Sequence, residues 1–223
     1  MNQHPGRAPV PEDLIPKHGG YRKLLSFQKA QLIYDVTVQF CGRYVSPLSR
    51  THDQMVQAAR SGVQNIAEGS LASGTSKKTE LKLTNVARAS LEELRLDYED
   101  FLRQHRLAQW PPDEPALVRF KARRCTSLED VQSWVREEQR RAKTARDNQR
   151  QRNSGTESLS VVGGRCLSMT SAELAANGAL SLLNLCCYLL DRQLAAQAAA
   201  FEREGGFTER LHRVRTARRG GAA

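Results

Sequence analysis

The stretch VQNIAEGS, residues 63–70, closes an apolar run whose spacing decides how the first half of the chain folds. Apolar and small side chains recur before it every three or four positions, at Met55, Ala58, Gly62 and Ile66. That spacing places them on one face of an α-helix. We therefore predict a helix over residues 52–68, which Gly69 ends in the left-handed conformation that glycine adopts readily.

Three more helices are predicted from the same spacing on either side of this stretch. The first covers residues 22–44, and the third covers residues 76–107 with Ser76 as its N-cap. The fourth covers residues 172–204, follows a capping box that begins at Thr170, and is ended by two glycines. Because four amphipathic helices with a largely aliphatic core pack together, we predict an all-α antiparallel four-helix bundle.

A long basic insertion separates the third and fourth helices. It opens with the proline-rich WPPDEP, contains one short amphipathic helix around residues 128–135, and continues as a polar run that is either a solvated helix or disordered. The chain is thus predicted to consist of a flexible N-terminal arm (1–20), bundle helices one to three (21–107), a basic, partly disordered insertion (108–168), the fourth helix (169–206) and a basic C-terminal tail (207–223).

The positive charge is concentrated outside the bundle helices. The chain has 34 Lys and Arg against 24 Asp and Glu, a formal charge of +10. Residues 119–152 hold eleven basic and five acidic side chains, and residues 203–219 hold six against two. Such surfaces attract phosphate polyanions. The alternative to polyanion binding is that the insertion is only a solvated helix and the tail is only a disordered segment.

The cysteines show no metal-ligand spacing, and their number is odd. We predict five free thiols in a reducing cytosol: Cys41, Cys125, Cys166, Cys186 and Cys187. The N-terminal twenty residues contain no apolar signal segment. The most apolar region, residues 174–190, is interrupted by polar Asn177, Ser181 and Asn184, which argues against a membrane span. The predicted location is therefore the cytoplasm, without a membrane partner.

Signs of catalysis are weak. The sequence has no glycine-rich phosphate loop and no zinc or other metal motif, so no cofactor and no metal are expected. Glu68 and Glu93 could form an acid–base couple, but no third group supports them. We therefore expect a protein without enzymatic activity.

With these motifs identified, the chain resembles a known family. Asn65-Ile66-Ala67-Glu68-Gly69, preceded by Ser61, is similar to the S-x-x-x-NIAEG signature of a four-helix-bundle family. That family includes proteins encoded in intervening sequences of large-subunit ribosomal RNA genes and the accessory variability determinant of diversity-generating retroelements. "ARASLEEL" (87–94) resembles the second signature, A-R-G-S-x-x-E-L, with Ala89 in place of Gly. The match covers residues 21–107, and residues 170–215 look like the "suffix" segment of one branch.

The resemblance implies structural roles for the signature residues. In the family NIAEG closes the second helix, and Asn65 and Glu68 would tie that helix to the following loop and to the third helix. It also implies a ring-like homo-oligomer, a pentamer. The residues expected to be structural are Ser61, Asn65, Glu68, Gly69, Arg88, Ser90 and Glu93.

Charge and resemblance together predict a non-catalytic accessory protein that binds RNA or DNA and a reverse transcriptase of the diversity-generating-retroelement type. The alternative is a protein–protein scaffold of the ribosomal intervening-sequence type, with no nucleic-acid role. The side chains predicted to contact phosphates, without reading sequence, are Lys77, Lys78, Lys82, Arg119, Arg123, Arg124, Arg136, Arg140 and Arg141.

Overall fold

All regular elements that the structure describes are helices. The computed structural model describes residues 13–153 and 169–220. A one-turn 3₁₀ helix (Tyr21–Lys23) precedes α1 (Leu25–Tyr44), α2 (Arg50–Ala72), α3 (Lys77–Gln104), α4 (Pro115–Arg123), α5 (Leu128–Asn153), α6 (Ser171–Glu204) and α7 (Phe207–Gly220). The prediction of an all-α chain is confirmed for these residues. Most of the predicted N-terminal arm and the last part of the predicted insertion lie outside them.

Four long helices form a bundle-like arrangement. α1 packs against α2 and α6, and α3 packs against the same two helices, so each helix has two neighbours. Near the start of α3, Glu80 accepts a hydrogen bond from Gln197 near the end of α6. Arg88, further along α3, pairs with Asp191, which lies earlier in α6. The two helices therefore run antiparallel, as the sequence predicts.

The bundle core is aliphatic, with one aromatic cluster. Leu91, Leu94 and Leu183 are fully buried between the helices. Phe40 packs its ring 4.8 Å from those of both Tyr98 and Phe101, near the end where α1 and α3 stop. Full burial of each large apolar side chain contributes roughly 2 kcal/mol to stability, so this core holds the four helices together.

The predicted helix caps at Ser76 and Thr170 are confirmed. The Ser76 hydroxyl accepts the Thr79 N–H at 3.2 Å, and the Thr170 hydroxyl accepts the Glu173 N–H at 3.1 Å. Gly205 ends α6 with φ of +72°, a conformation that suits glycine. These three sites depend on interactions within a few residues, which is why the sequence locates them.

The predicted role of Gly69 as a helix stop is wrong. α2 continues past it to Ala72, and Gly69 is not among the described glycines with positive φ. A Cβ atom at Gly69 would lie 3.3 Å from the Glu80 carbonyl oxygen and 3.4 Å from the Leu83 Cβ. The glycine therefore allows the first turns of α3 to approach α2 closely.

The described part of the predicted insertion is not a loose appendage. Its helices α4 and α5 pack against α6 and extend the same hydrophobic core. Trp134 of α5 is 1% exposed, and a Cβ at Gly178 of α6 would lie only 3.0 Å from its ring. Phe120 of α4 completes this contact, its ring 4.6 Å from that of Trp134. Residues 115–138, including the short helix predicted around residues 128–135, are thus part of the packed structure, because apolar side chains in both helices pack on a matching surface of α6.

A buried asparagine fixes the start of the insertion. Asn177 of α6, 1% exposed, accepts the Trp110 N–H at 2.8 Å and donates to the Ala108 carbonyl oxygen at 2.9 Å. The Trp110 indole N–H donates to Glu173 at 3.1 Å. Asn177, which the sequence suggests only as an interruption of an apolar run, satisfies backbone groups that the turn after α3 leaves unpaired.

The α6 region also passes a simple test for a membrane span. The helical stretch Ser171–Arg219 contains a window with mean hydropathy 1.3. By length and composition alone, this stretch is long and apolar enough to cross a membrane. However, 61% of that window is buried against the rest of the chain. The core helix of a soluble bundle has the same properties, so hydropathy does not distinguish the two cases here.

Candidate nucleic-acid interface

Ion pairs between α4 and α5 occupy part of the predicted arginine cluster. Arg119 donates from Nε and Nη2 to the two oxygens of Glu138, at 2.7 and 2.5 Å. Arg123 lies 3.0 Å from Glu137, and Arg141 lies 3.7 Å from Glu138. Because the Glu138 side chain is only 3% exposed, Arg119 supplies the charge that this buried carboxylate needs. Arg119 and Arg123 thus hold α4 against α5, a role that the sequence analysis did not predict.

The start of α5 is fixed by its own capping groups. The Asp130 carboxylate accepts the Thr126 and Ser127 N–H groups at 2.9 and 3.0 Å, while the Ser127 hydroxyl accepts the Asp130 N–H. These backbone hydrogen bonds lower the pKa of Asp130 to about 2. The reciprocal arrangement is a capping box, and it sets where the helix begins.

Three predicted arginines are exposed and form no ion pair within the described residues: Arg124, Arg136 and Arg140. Arg124 ends α4 in the left-handed conformation, with φ of +52°. Arg136 and Arg140 lie one turn apart on α5, where Arg140 Nε donates to the Arg136 carbonyl oxygen at 3.4 Å. Their guanidinium groups therefore keep donors available for a phosphate.

We call residues 139–153 the distal α5. Every residue in it from Lys143 to Asn148 is exposed, so this part of the helix has no bundle surface beside it. The distal α5 spans about 22 Å. It carries six basic residues and one acid, Asp147. Lys143 and Arg146 of this segment belong to the basic run that the sequence already shows.

The three predicted lysines lie at the start of α3. Lys77 pairs with Glu80 at 3.3 Å, whereas Lys78 and Lys82 are exposed without an ion pair in the described chain. Since α3 begins here, the positive end of its dipole adds to the lysine charge. These residues form a second basic surface.

The lysine and arginine groups are not one site. Glu80, one turn after Lys77, contacts Gln197 of α6, while the arginine-bearing α5 packs its Trp134 on Gly178 of α6. Nineteen residues separate these two α6 positions, which corresponds to roughly 28 Å along a helix. The two basic surfaces therefore lie toward opposite ends of the bundle.

The signature residues are only partly used as the resemblance implies. Asn65 Nδ2 donates to Ser61 one turn earlier in α2, to its carbonyl oxygen at 2.8 Å and its hydroxyl at 3.2 Å. Glu68 is exposed and makes no side-chain hydrogen bond to any described residue. The expectation that Asn65 and Glu68 tie α2 to the loop and to α3 is therefore wrong. Arg88 does join two helices, through its pairing with Asp191 of α6.

The other signature residues share a polar cleft. Ser61 of α2 lines it together with Ser90 and Glu93 of α3. Arg50 and Asp53, from the first turn of α2, line it as well. Glu68 is not among the lining residues. It lies seven residues, about 10 Å, beyond Ser61 along α2. The fold therefore does not bring Glu68 and Glu93 together as an acid–base couple.

The four described cysteines, Cys41, Cys125, Cys186 and Cys187, are free, as predicted, and all four are buried, whereas Cys166 lies outside the described residues. Burial raises the pKa of the Cys187 thiol to about 11 and that of Cys41 to about 12. Across residues 13–153 and 169–220, no group of three His, Cys, Asp or Glu side chains could hold a metal ion.

Over the described residues, the fold and these surfaces define an all-helical, bundle-like protein with a basic helix extending from it. No family model, no curated protein and no solved structure matches the chain.

Proposed function

We propose that this protein is a non-catalytic accessory protein that binds nucleic acid through the distal α5 and the arginines beside it. The observation that carries the proposal is a helical segment, residues 143–148, in which every residue is exposed and which lies in a run where basic residues greatly outnumber acids. A free helix with this charge can contact several phosphates of one strand at once, because no neighbouring element restricts its approach. Such contacts position a nucleic acid without reading its sequence.

The paired arginines support this surface indirectly. Arg119 and Arg123 anchor α4 on α5 and leave Arg124, Arg136 and Arg140 exposed near the root of the distal α5. The phosphate-contacting set is thus smaller on α4 than the sequence predicts and longer along α5. It comprises Arg124, Arg136, Arg140, Arg141, Lys143 and Arg146.

The protein partner and the assembly are part of the same proposal. The similarity of residues 21–107 to the four-helix-bundle family favours a reverse transcriptase of the diversity-generating-retroelement type as partner, with its template RNA or cDNA as ligand. A ring-like homo-oligomer, a pentamer, would present several distal α5 segments to one strand and raise the affinity by multivalency. Exposed apolar side chains on the bundle, including Leu96 at 57% and Tyr188 at 55%, are available for such contacts.

A charge-reversal experiment tests the nucleic-acid part. The variant Arg140→Glu, Lys143→Glu and Arg146→Glu should bind single-stranded RNA far more weakly. The slope of log affinity against log salt should become less negative by about 2 units, since three phosphate contacts are lost. The matched control reverses three exposed basic residues outside α5, Lys23, Arg60 and Arg192, and changes net charge equally. Equal weakening in both variants would show that net charge, and not the distal α5, determines binding.

A protein–protein scaffold is the second candidate. It is favoured by the α4–α5 ion pairs, because they engage Arg119 and Arg123, two of the arginines predicted to bind phosphate. Recovery of the tagged protein from its host, with and without nuclease, separates the two. Co-recovery of a reverse transcriptase and one RNA supports the accessory protein. Partners that survive nuclease, without an enriched RNA, support the scaffold.

A further inference from the structure

A groove of about 430 Å³ lies between α1, α5 and the first turn of α6. Its apolar wall comes from Val36 and Phe40 of α1 and from Val131 and Val135 of α5. Val36, Phe40 and Val131 are nearly fully buried, so this wall is part of the packed core. The groove has the size of a small-molecule site, since such sites occupy roughly 300–1,000 Å³.

The charge of this groove has one sign. Arg43 at the end of α1 and Arg136 of α5 both line it, and no acidic side chain does. Both arginines are exposed, and neither forms an ion pair within the described residues. This differs from Arg119 and Arg123 nearby, which have carboxylate partners. Two unpaired guanidinium groups beside an apolar wall are complementary to a ligand with one anionic group and one apolar face.

Amide and hydroxyl groups supply the third property of the groove. Gln39, Gln132 and Gln139 line it, and Gln132 Nε2 donates to Gln39 Oε1 at 2.8 Å. Tyr44 adds a half-buried ring and a hydroxyl group. Each amide both donates and accepts hydrogen bonds, which suits a planar ligand with mixed donors and acceptors at its edge.

We propose that this groove binds an organic phosphate with a planar, hydrogen-bonding body, the chemistry of a nucleoside monophosphate. The phosphate binds between Arg43 and Arg136, and the planar body lies against the half-buried Tyr44 and Val135 with its edge near the glutamines. The ligand is either a free nucleotide or the terminal nucleotide of a strand. The groove shares Arg136 and Gln139 with the basic surface of α5, but its α1 side, which includes Arg43, belongs to the groove alone. The inference therefore does not rest on the function proposed for the distal α5.

Calorimetric titration with the full-length protein tests this site. The probes are the four nucleoside 5′-monophosphates, adenosine, inorganic phosphate and a 5′-phosphorylated tetranucleotide. At least one monophosphate should bind, and adenosine and inorganic phosphate should each bind at least tenfold more weakly. Arg43→Gln and Arg136→Gln should each reduce affinity for that monophosphate by about tenfold, since each removes a charged hydrogen bond. Arg60→Gln, an exposed arginine on α2, is the control and should leave affinity unchanged.

The outcomes separate this site from the distal α5. Binding of inorganic phosphate as tight as that of any monophosphate would overturn the proposal, as would no binding of all four monophosphates. Tighter binding of the tetranucleotide than of the free nucleotides, lost in Arg43→Gln, identifies a strand end as the source. The triple variant at Arg140, Lys143 and Arg146 should keep monophosphate affinity even where its RNA affinity falls. A monophosphate affinity that falls with it would place that ligand on the distal α5 and overturn the groove.

Discussion

Arg119 of α4 and Glu138 of α5 form a bidentate ion pair in which the glutamate side chain is 3% exposed. The pair decides whether α4 stays on α5. Replacing Arg119 with Ala would leave a buried carboxylate without its principal partner. We expect this to lower the free energy of unfolding by roughly 2–3 kcal/mol, somewhat less than for a fully buried pair because Arg119 is itself half exposed.

Urea unfolding followed by circular dichroism measures that change. The double variant Arg119→Met and Glu138→Leu should recover most of the loss, because no unpaired charge remains. Lys143→Ala, on the exposed part of α5, serves as a control and should change stability by less than about 0.5 kcal/mol. An Arg119→Ala protein as stable as the parent would show that the pair contributes nothing.

Glycines at helix contacts give a second prediction. Gly178→Ala places a Cβ 3.0 Å from the buried Trp134 ring and should destabilise the fold by about 1–3 kcal/mol. Gly42 lies within α1 with nothing within 4 Å of a Cβ, so Gly42→Ala should stabilise by roughly 0.5–1 kcal/mol. Thermal unfolding should show melting temperatures that move in opposite directions. A shift in the same direction would contradict the packing of α5 on α6.

The buried amide of Asn177 gives a third. Asn177→Leu would leave the Trp110 N–H and the Ala108 carbonyl oxygen without their partner. Because both groups lie in the turn that joins α3 to α4, we expect a loss of about 2 kcal/mol or more. Hydrogen exchange at the Trp110 amide should accelerate in this variant. The nearby Asn184→Leu, at an exposed position of α6, should leave that exchange rate unchanged.

The pH dependence of stability provides a fourth prediction, centred on Asp97 of α3. Burial, with a smaller contribution from Glu93 and Asp100, raises the pKa of Asp97 to about 6. The folded state therefore binds a proton that the unfolded state lacks between about pH 4 and 6, and stability from this group rises as pH falls through that range. Asp97→Asn should remove that rise and stabilise the protein at pH 7 by roughly 1 kcal/mol, discounted because the group is only partly buried.

Unfolding free energies measured from pH 7 to pH 4 test this sign. Asp113→Asn, at an exposed position in the loop before α4, is the matched control and should keep the pH profile of the parent. If the free energy of unfolding of the parent protein instead fell as the pH was lowered from 7 to 5, folding would have to lower the pKa of Asp97, which would contradict this prediction.

The buried thiols give a fifth prediction. Burial raises the pKa of Cys41, Cys186 and Cys187, so the reactive thiolate is scarce at neutral pH. In a Cys166→Ser background, a thiol reagent should not label the native protein but should label four cysteines after unfolding. Rapid native labelling would contradict the burial of these side chains. Mass spectrometry counts the labels directly.

Much of the helical structure could be predicted because its causes are local. The hydroxyl groups of Ser76 and Thr170 cap backbone N–H groups three residues later, and Gly205 adopts its positive φ alone. Each of these features depends on only a few consecutive residues, so the sequence pattern is enough to predict it. The basic run of α5 could also be located from sequence, since charge does not depend on the fold.

Which side chains meet could not be predicted, because contacts between distant residues depend on which helix faces come together. The sequence alone determined an all-helical chain, its main caps and a basic run. Only the tertiary structure decided that Gly69 is a contact with α3, that Trp134 seats on Gly178, and that Arg119 is paired while Arg136 is not. The physical reason is that burial and ion pairing are properties of surfaces formed by packing, and a linear pattern does not specify the partner surface.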